Sequence, residues 1–138
     1  MKKREPVSKI MISDVSSVNE LASLKDVMAT FRDKRIRHMP VTKGETVIGI
    51  ISATDLNRLT FGALFDNQAH SDEAVLDMLT VPQVMTPNPR TVHPEDAIRE
   101  IAEIFATEQF HALPVVEGNT LRGIVTTTDV IKYMLEQY

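Results

Sequence analysis

The chain has 138 residues, close to one ordinary domain in size, with 43% apolar residues, 25% charged residues and a formal charge of −4. That balance offers no broad cationic surface for nucleic acid or an acidic membrane, and no apolar run approaches the roughly 18 residues of a membrane span. There is no cysteine, which excludes a disulfide framework, a thiol nucleophile and a thiolate metal site. The charged start from Met1 to Pro6 is not followed by a signal-peptide core, so a cytoplasmic protein is expected.

Elements follow in a regular order. Lys9-Ile10-Met11 opens the chain, Ser13-Asp14 turns it, and a short extended stretch ends at Val18. Leu24, Val27, Met28 and Phe31 recur at i, i+3, i+4 and i+7, the apolar stripe of a helix lying on a sheet. Two strands come next: Met39-Pro40-Val41-Thr42 and Val47-Ile48-Gly49-Ile50-Ile51, joined by a Lys43-Gly44-Glu45 turn. A closing helix is expected from Asp55 with Thr54 as its N-cap. Residues 62–79 form a connector with one short helix, for which Ser71 is the expected cap.

The same grammar then begins again, 74 residues on. Met85 opens it, Pro87-Asn88-Pro89 turns it, and Val92 ends the extended stretch. Pro94-Glu95-Asp96 precedes a helix with the stripe Ile98, Ile101, Ala102, Phe105, for which Asp96 is the expected N-cap. Strands from Leu113 to Val116 and Leu121 to Val125 flank Glu117-Gly118-Asn119, and Thr128 is the expected cap of a helix from Asp129. At that offset Val7 falls on Val81, Met11 on Met85, Pro40-Val41 on Pro114-Val115, Gly49-Ile50 on Gly123-Ile124, and Thr54-Asp55 on Thr128-Asp129. The chain is therefore a duplication. The expected class is α/β (α+β): two pseudo-symmetric β-α-β-β-α repeats, 1–61 and 80–138, packed through their sheets. One copy alone is at the lower limit for burying a core.

These residues resemble those of the CBS (cystathionine β-synthase) domain family. The resemblance rests on Gly49 to Asp55 and Gly123 to Asp129 as closing signatures, on the two Pro-Val strands with Arg37-His38-Met39 or His111-Ala112-Leu113 before them, and on the two Met-centred openings. It covers Val7 to about Met134 and matches a tandem pair, a Bateman module. Such pairs carry two clefts that take adenosine-containing molecules: AMP, ADP, ATP, S-adenosylmethionine, sometimes NAD or a cyclic dinucleotide. The resemblance implies that Asp55 and Asp129 hold ribose hydroxyls and that Ser52 and Thr126 assist on ribose or phosphate. Thr54, Thr128, Ile50 and Ile124 belong to the same signatures. It implies that adenine lies against the opening segment and the residues before the Pro-Val strand of the partner repeat, with Arg37 serving either its own repeat's cleft or the partner's, and that the protein forms a homodimer. No obligatory cofactor is implied.

The chemistry suits that implication. A carboxylate can accept from both hydroxyls of a ribose, and a helix N-terminus offers free N–H groups and a positive dipole end to phosphate. Helix capping alone would also select Thr-Asp in a first turn, so both readings stand. Before the first Pro-Val the chain reads Arg32-Asp33-Lys34-Arg35-Ile36-Arg37-His38, and before the second Ala106-Thr107-Glu108-Gln109-Phe110-His111-Ala112. Arg32, Lys34 and Arg35 suit a helix C-terminus, while Arg37, His38 and His111 lie past it and are candidate phosphate contacts. Ile36 and Phe110 either flank adenine or belong to the core. The basic approach marks only the first copy, so the two clefts are not expected to be equivalent.

Catalysis finds no support. The four histidines are scattered without metal-ligand spacing, and there is no nucleophile elbow, P-loop or dinucleotide fingerprint. No catalytic or metal-binding residue is assigned and an enzyme is not expected. Three functions remain: a regulatory sensor of an adenosine nucleotide, a protein-interaction and dimerisation module with empty clefts, and a DNA-associated regulator. Net charge and the lack of a helix-turn-helix disfavour the last. In the second, Phe61, Leu64 and Phe65 of the connector would serve as the contact.

Overall fold

The protein is described from a computed structural model over residues 5–65 and 69–138, with side chains described outside residues 60–73. The chain forms two compact units. One comprises residues 16–88; the other combines residues 5–15 with 89–138.

In the 16–88 unit, the short strand β1 (Val18–Asn19) runs parallel to β2 (His38–Lys43), pairing Val18 with Val41. Helix α1 (Leu24–Lys34) makes the crossover. Ser23 caps it by accepting from the Asp26 N–H at 3.1 Å. It ends at Arg35 in the left-handed region (φ 54°), whose N–H donates to the Phe31 carbonyl. β2 turns through Gly44 (φ 63°) into the antiparallel β3 (Thr46–Ser52), and α2 (Ala53–Phe65) and α3 (Ala69–Met78) follow. α3 begins before Ser71, so that residue sits inside the first turn and is not its cap. The connector side chains Phe61, Leu64 and Phe65 lie outside the described residues. A four-residue helix, α4 (Val81–Val84), then leads to β4 (Thr86–Pro87), which closes the sheet on β3 by pairing Gly49 with Pro87 and Ile50 with Thr86.

The other unit repeats the plan with residue-level bridges at its edges. Helix α5 (Ile98–Thr107), the hairpin β5 (Ala112–Glu117) and β6 (Thr120–Thr126), and helix α6 (Thr127–Glu136) succeed one another. Val92 bridges Val115 in parallel, as Val18 does Val41, and Ile12 bridges Ile124 as Thr86 pairs with Ile50. Each compact unit thus carries the opening segment of the other sequence repeat. Val7 and Val81, the first matched pair of the duplication, are both fully buried. Val81 lies in the core of Leu24, Val27, Met39, Val41, Ile51 and Leu56; Val7 lies with Ile101, Leu113, Val115 and Val125. Burying each such side chain is worth roughly 1.5–3 kcal/mol.

The expected cap at Asp96 is displaced by one residue. Ala97 occupies the N-cap of α5 and offers no side-chain acceptor. The first helical N–H, of Ile98, instead donates to the Glu5 carbonyl at 2.8 Å. Asp96 accepts the His93 N–H through its carboxylate and the Val7 N–H through its carbonyl. The N-terminal segment therefore satisfies a helix end that has no cap of its own.

Candidate functional site

Both signatures sit where a strand passes directly into a helix. Ser52 ends β3, and its hydroxyl accepts the Asp55 N–H at 3.1 Å. Thr126 ends β6 and accepts the Asp129 N–H at 3.2 Å. Ser52 and Thr126 are therefore the caps, and the expected caps Thr54 and Thr128 lie within the first turn. The reason is backbone geometry: Thr126 is extended (φ −120°, ψ 165°), which points its hydroxyl over the N–H three residues on.

The segment before each Pro-Val strand is stitched to the same junction. The Ala53 N–H donates to the Arg37 carbonyl at 2.8 Å, and His38 pairs with Ser52 across the hairpin. In the other unit the Thr127 N–H donates to the His111 carbonyl at 3.1 Å, and Ala112 pairs with Thr126. The main chain of Arg37 is thus joined to the junction that carries Asp55, and that of His111 to the junction that carries Asp129. Ile50 is half-buried under Thr86, while Ile124, bridged to Ile12, is only 5% exposed. Ile36 and Phe110 both pack against their cores.

The two junctions differ in what they leave free. The Asp129 carboxylate accepts the Thr126 N–H at 2.9 Å and its hydroxyl at 3.0 Å, closing a reciprocal capping box. Both functions of the Thr126 hydroxyl are thereby used. Among the described residues the Asp55 carboxylate accepts no such bond, and the Ser52 hydroxyl keeps its proton for another acceptor. Ser52 and Asp55 thus offer an uncommitted donor and an uncommitted acceptor among the described residues, whereas Thr126 and Asp129 are engaged with each other.

Between the end of α1 and the first turn of α2 lies an open depression of about 510 Å³, which neither Ser52 nor Asp55 lines. Arg32, Arg35, Arg37 and Ile36 line it from the end of α1 and the approach, and Thr54 and Asn57 from α2. Among the described residues none of the three guanidinium groups forms an ion pair with a carboxylate. Three uncompensated guanidiniums around polar groups and a helix N-terminus are chemistry suited to phosphate. Lys34, by contrast, is directed to the Ser16 hydroxyl. The sequence pointed to Arg37 and Thr54 here; Arg35 and Asn57 were not among the expected binding residues. Their signals are the left-handed arginine ending α1, where glycine is usual, and the i, i+3 spacing of Thr54 and Asn57. The depressions described in the other unit lie elsewhere: one by Met11, Ser13 and Arg122, one by Asp96, Glu100 and Glu103. Among the described residues no group of three His, Asp or Glu side chains is placed to hold a metal, and no helix is long and apolar enough to cross a membrane.

Comparison with known proteins agrees with this architecture. The protein MJ1225 of Methanocaldococcus jannaschii is 30% identical over 131 residues, covering 94% of this chain and 47% of that protein. Its crystal structure superposes with a TM-score of 0.82. A homoserine O-acetyltransferase of Methanohalobium evestigatum is 25% identical over 94% of this chain and 24% of its own length. The chain thus spans about half or less of these relatives. CBSX2, solved in complex with AMP, matches with a TM-score of 0.77 at 23% identity, covering 96% of this chain and 97% of that one. The CBS domain pair of MJ0100, solved with 5′-methylthioadenosine and S-adenosyl-L-methionine, matches with a TM-score of 0.80 at 18% identity, covering 98% and 99%. At those identities the likeness is one of fold. The CBS domain family itself matches residues 7–61 and 81–136, one match to each repeat, and the chain belongs to that family.

Proposed function

We propose that this chain is a regulatory sensor that binds an adenosine-containing nucleotide, of the AMP, ADP, ATP or S-adenosylmethionine class, without catalysing a reaction. It acts in the cytoplasm as a homodimer. The observation that carries the reading is the Ser52–Asp55 junction, whose hydroxyl proton and carboxylate are uncommitted among the described residues, at the first turn of a helix that also lines a depression with Arg32, Arg35 and Arg37. Asp55 accepts from the ribose hydroxyls, Ser52 donates to ribose or phosphate, and Arg37 with Thr54 takes the phosphate; His38, Ile36 and Ile50 complete the set. CBSX2 with AMP and MJ0100 with two adenosine derivatives support the ligand class. Thr126, Thr128, Asp129, Phe110, His111 and Ile124 form the corresponding second set. It is the weaker of the two, because its carboxylate is held in a capping box. Ligand binding shifts the population of conformations or assemblies towards the one it fits better.

The engaged Asp129 also favours a second reading, an interaction and dimerisation module with empty clefts. A thermal-shift screen against AMP, ADP, ATP, S-adenosylmethionine, NAD and cyclic di-AMP separates the two. A ligand at 100 times its dissociation constant adds about 2.7 kcal/mol of stability. That shift is expected in wild type and should fall to about half or less in Asp55→Ala at the same ligand concentration. No shift with any of the six would leave the interaction module standing.

A further inference from the structure

The depression between α1 and α2 gathers arginines that the fold does not need. Arg32 comes from the last turn of α1, Arg35 from its C-cap and Arg37 from the approach to β2, and all three are exposed. An arginine at a helix C-terminus offsets the helix dipole, and that alone accounts for Arg32. Arg35 asks for more. The bond that closes the helix runs from its main-chain N–H to the Phe31 carbonyl, and glycine would make the same bond without strain at φ 54°. Strain kept at such a position points to a use for the side chain.

The other copy supplies an internal contrast. At the 74-residue offset Ala106, Gln109 and His111 stand where the three arginines do. Helix α5 ends at Glu108 with extended backbone (φ −115°), and the Glu108 carboxylate is taken by Arg90 at 2.6 Å. The cationic depression is thus a feature of one copy, not of the repeat. None of its described lining residues is acidic, and Thr54 and Asn57 add polar side chains from α2. Its volume, about 510 Å³ against roughly 30 Å³ for one water, suits a chain of phosphates better than a single one. The charge agrees: a phosphate monoester carries about −1.5 to −2 at pH 7, which leaves part of three guanidiniums uncompensated, and each further phosphate adds roughly one negative charge. A sulfonium ligand would be repelled. We propose that this depression binds an oligophosphate of two or three phosphates, free or as the tail of a nucleotide, through Arg32, Arg35 and Arg37. With a nucleotide as the source it rests on the reading above and narrows its ligand class; with a free oligophosphate it stands apart from it.

Calorimetric titration with tripolyphosphate, ATP, AMP and adenosine in magnesium-free buffer tests this on wild type, Arg32→Gln/Arg35→Gln and Lys34→Gln. Lys34 is a neighbouring cation directed to the Ser16 hydroxyl, and so controls for bulk charge. Thermal melts check that each variant folds. Wild type is expected to bind tripolyphosphate, and to bind ATP at least tenfold more tightly than AMP. The double arginine variant should lose roughly tenfold or more for ATP and tripolyphosphate and keep its affinity for adenosine, while Lys34→Gln stays within about twofold of wild type. Tripolyphosphate that displaces ATP would identify the nucleotide tail as occupant, and tripolyphosphate that binds beside ATP would identify a free oligophosphate. ATP no tighter than AMP, with no binding of tripolyphosphate, would overturn this site and leave the nucleotide reading standing. Equal losses in Lys34→Gln and the arginine variant would reduce the effect to bulk charge and overturn it too. Tripolyphosphate bound without any binding of adenosine, AMP or ATP would instead overturn the nucleotide reading alone.

Discussion

The sulfur of Met85 occupies the space over Gly49: a Cβ on that glycine would lie 2.2 Å from it. The counterpart is closer to the backbone. A Cβ on Gly123 would lie 2.7 Å from the Ile12 carbonyl oxygen and 2.9 Å from the Met11 sulfur. The signature glycine of each repeat is therefore a clearance for the Met-centred opening of the other. Signature and opening are matched pieces of one packing arrangement.

Gly123→Ala should accordingly destabilise more than Gly49→Ala, because a main-chain oxygen held in the Ile12–Ile124 bridge cannot step aside as a methionine sulfur can. We expect losses of about 2–3 kcal/mol and about 1 kcal/mol, in the range of core overpacking. In urea denaturation, Met85→Ala combined with Gly49→Ala should cost less than the sum of the two single changes. Met11→Ala should give no such relief to Gly123→Ala.

The two signature aspartates should separate by readout. Asp129→Ala breaks a capping box and should lower stability by about 1 kcal/mol. Asp55→Ala removes no such side-chain bond and should change stability little. It should weaken nucleotide binding by about tenfold or more, the value of a lost hydrogen bond to a charged group. Calorimetric titration of both variants beside their melting curves measures the two effects. Equal stability losses with unchanged affinity would remove Asp55 from the site.

Arg35 holds a left-handed backbone at φ 54° where most helices end in glycine. Arg35→Gly should relieve that conformation and raise stability by about 0.5 kcal/mol, after the greater chain entropy of glycine is subtracted. If the proposed site holds, it should also weaken binding of ATP more than that of adenosine, since the Arg35 guanidinium lines the depression. A variant that is more stable and binds ATP unchanged would make the arginine incidental.

Tyr133 ties α6 to the N-terminal segment by donating its phenolic hydrogen to the Glu5 carboxylate. That hydrogen bond, with burial and the nearby negative charge, pushes its pKa from 10.0 up to about 12. A raised pKa means the folded state holds the proton more firmly. The stabilisation is therefore complete below pH 10.0 and is lost as pH rises towards about 12. Denaturation midpoints measured across this window should fall more steeply in wild type than in Tyr133→Phe. Tyrosinate absorbance in a Tyr138→Phe background reads the titration directly. A midpoint profile identical in the two proteins would show that the contact does not stabilise the fold.

Much of the fold was legible because the relevant signals are local. The i, i+3, i+4, i+7 stripes of α1 and α5 and the Pro-Val hairpins with their glycine turns all appear where periodicity places them. Boundaries were less legible. The cap at Ser52 or Thr126 depends on which residue is last in the extended conformation, and a second hydroxyl residue two positions on, Thr54 or Thr128, leaves no local means of choosing. Asp96 looked like a cap because nothing in its neighbourhood reveals that the Glu5 carbonyl, more than 90 residues away, takes the helix N–H instead.

By itself the sequence determined the duplication, the order of elements within each copy, and the acids and hydroxyls that stand at two helix N-termini. Only the tertiary structure decided which opening segment completes which unit. The two openings match at Val7 and Val81 and at Met11 and Met85, so either would satisfy the local pattern; burial against a particular sheet edge settles the choice. It also decided that the two copies differ in chemistry. Asp129 spends its carboxylate on its own helix cap, whereas Asp55 makes no such bond among the described residues.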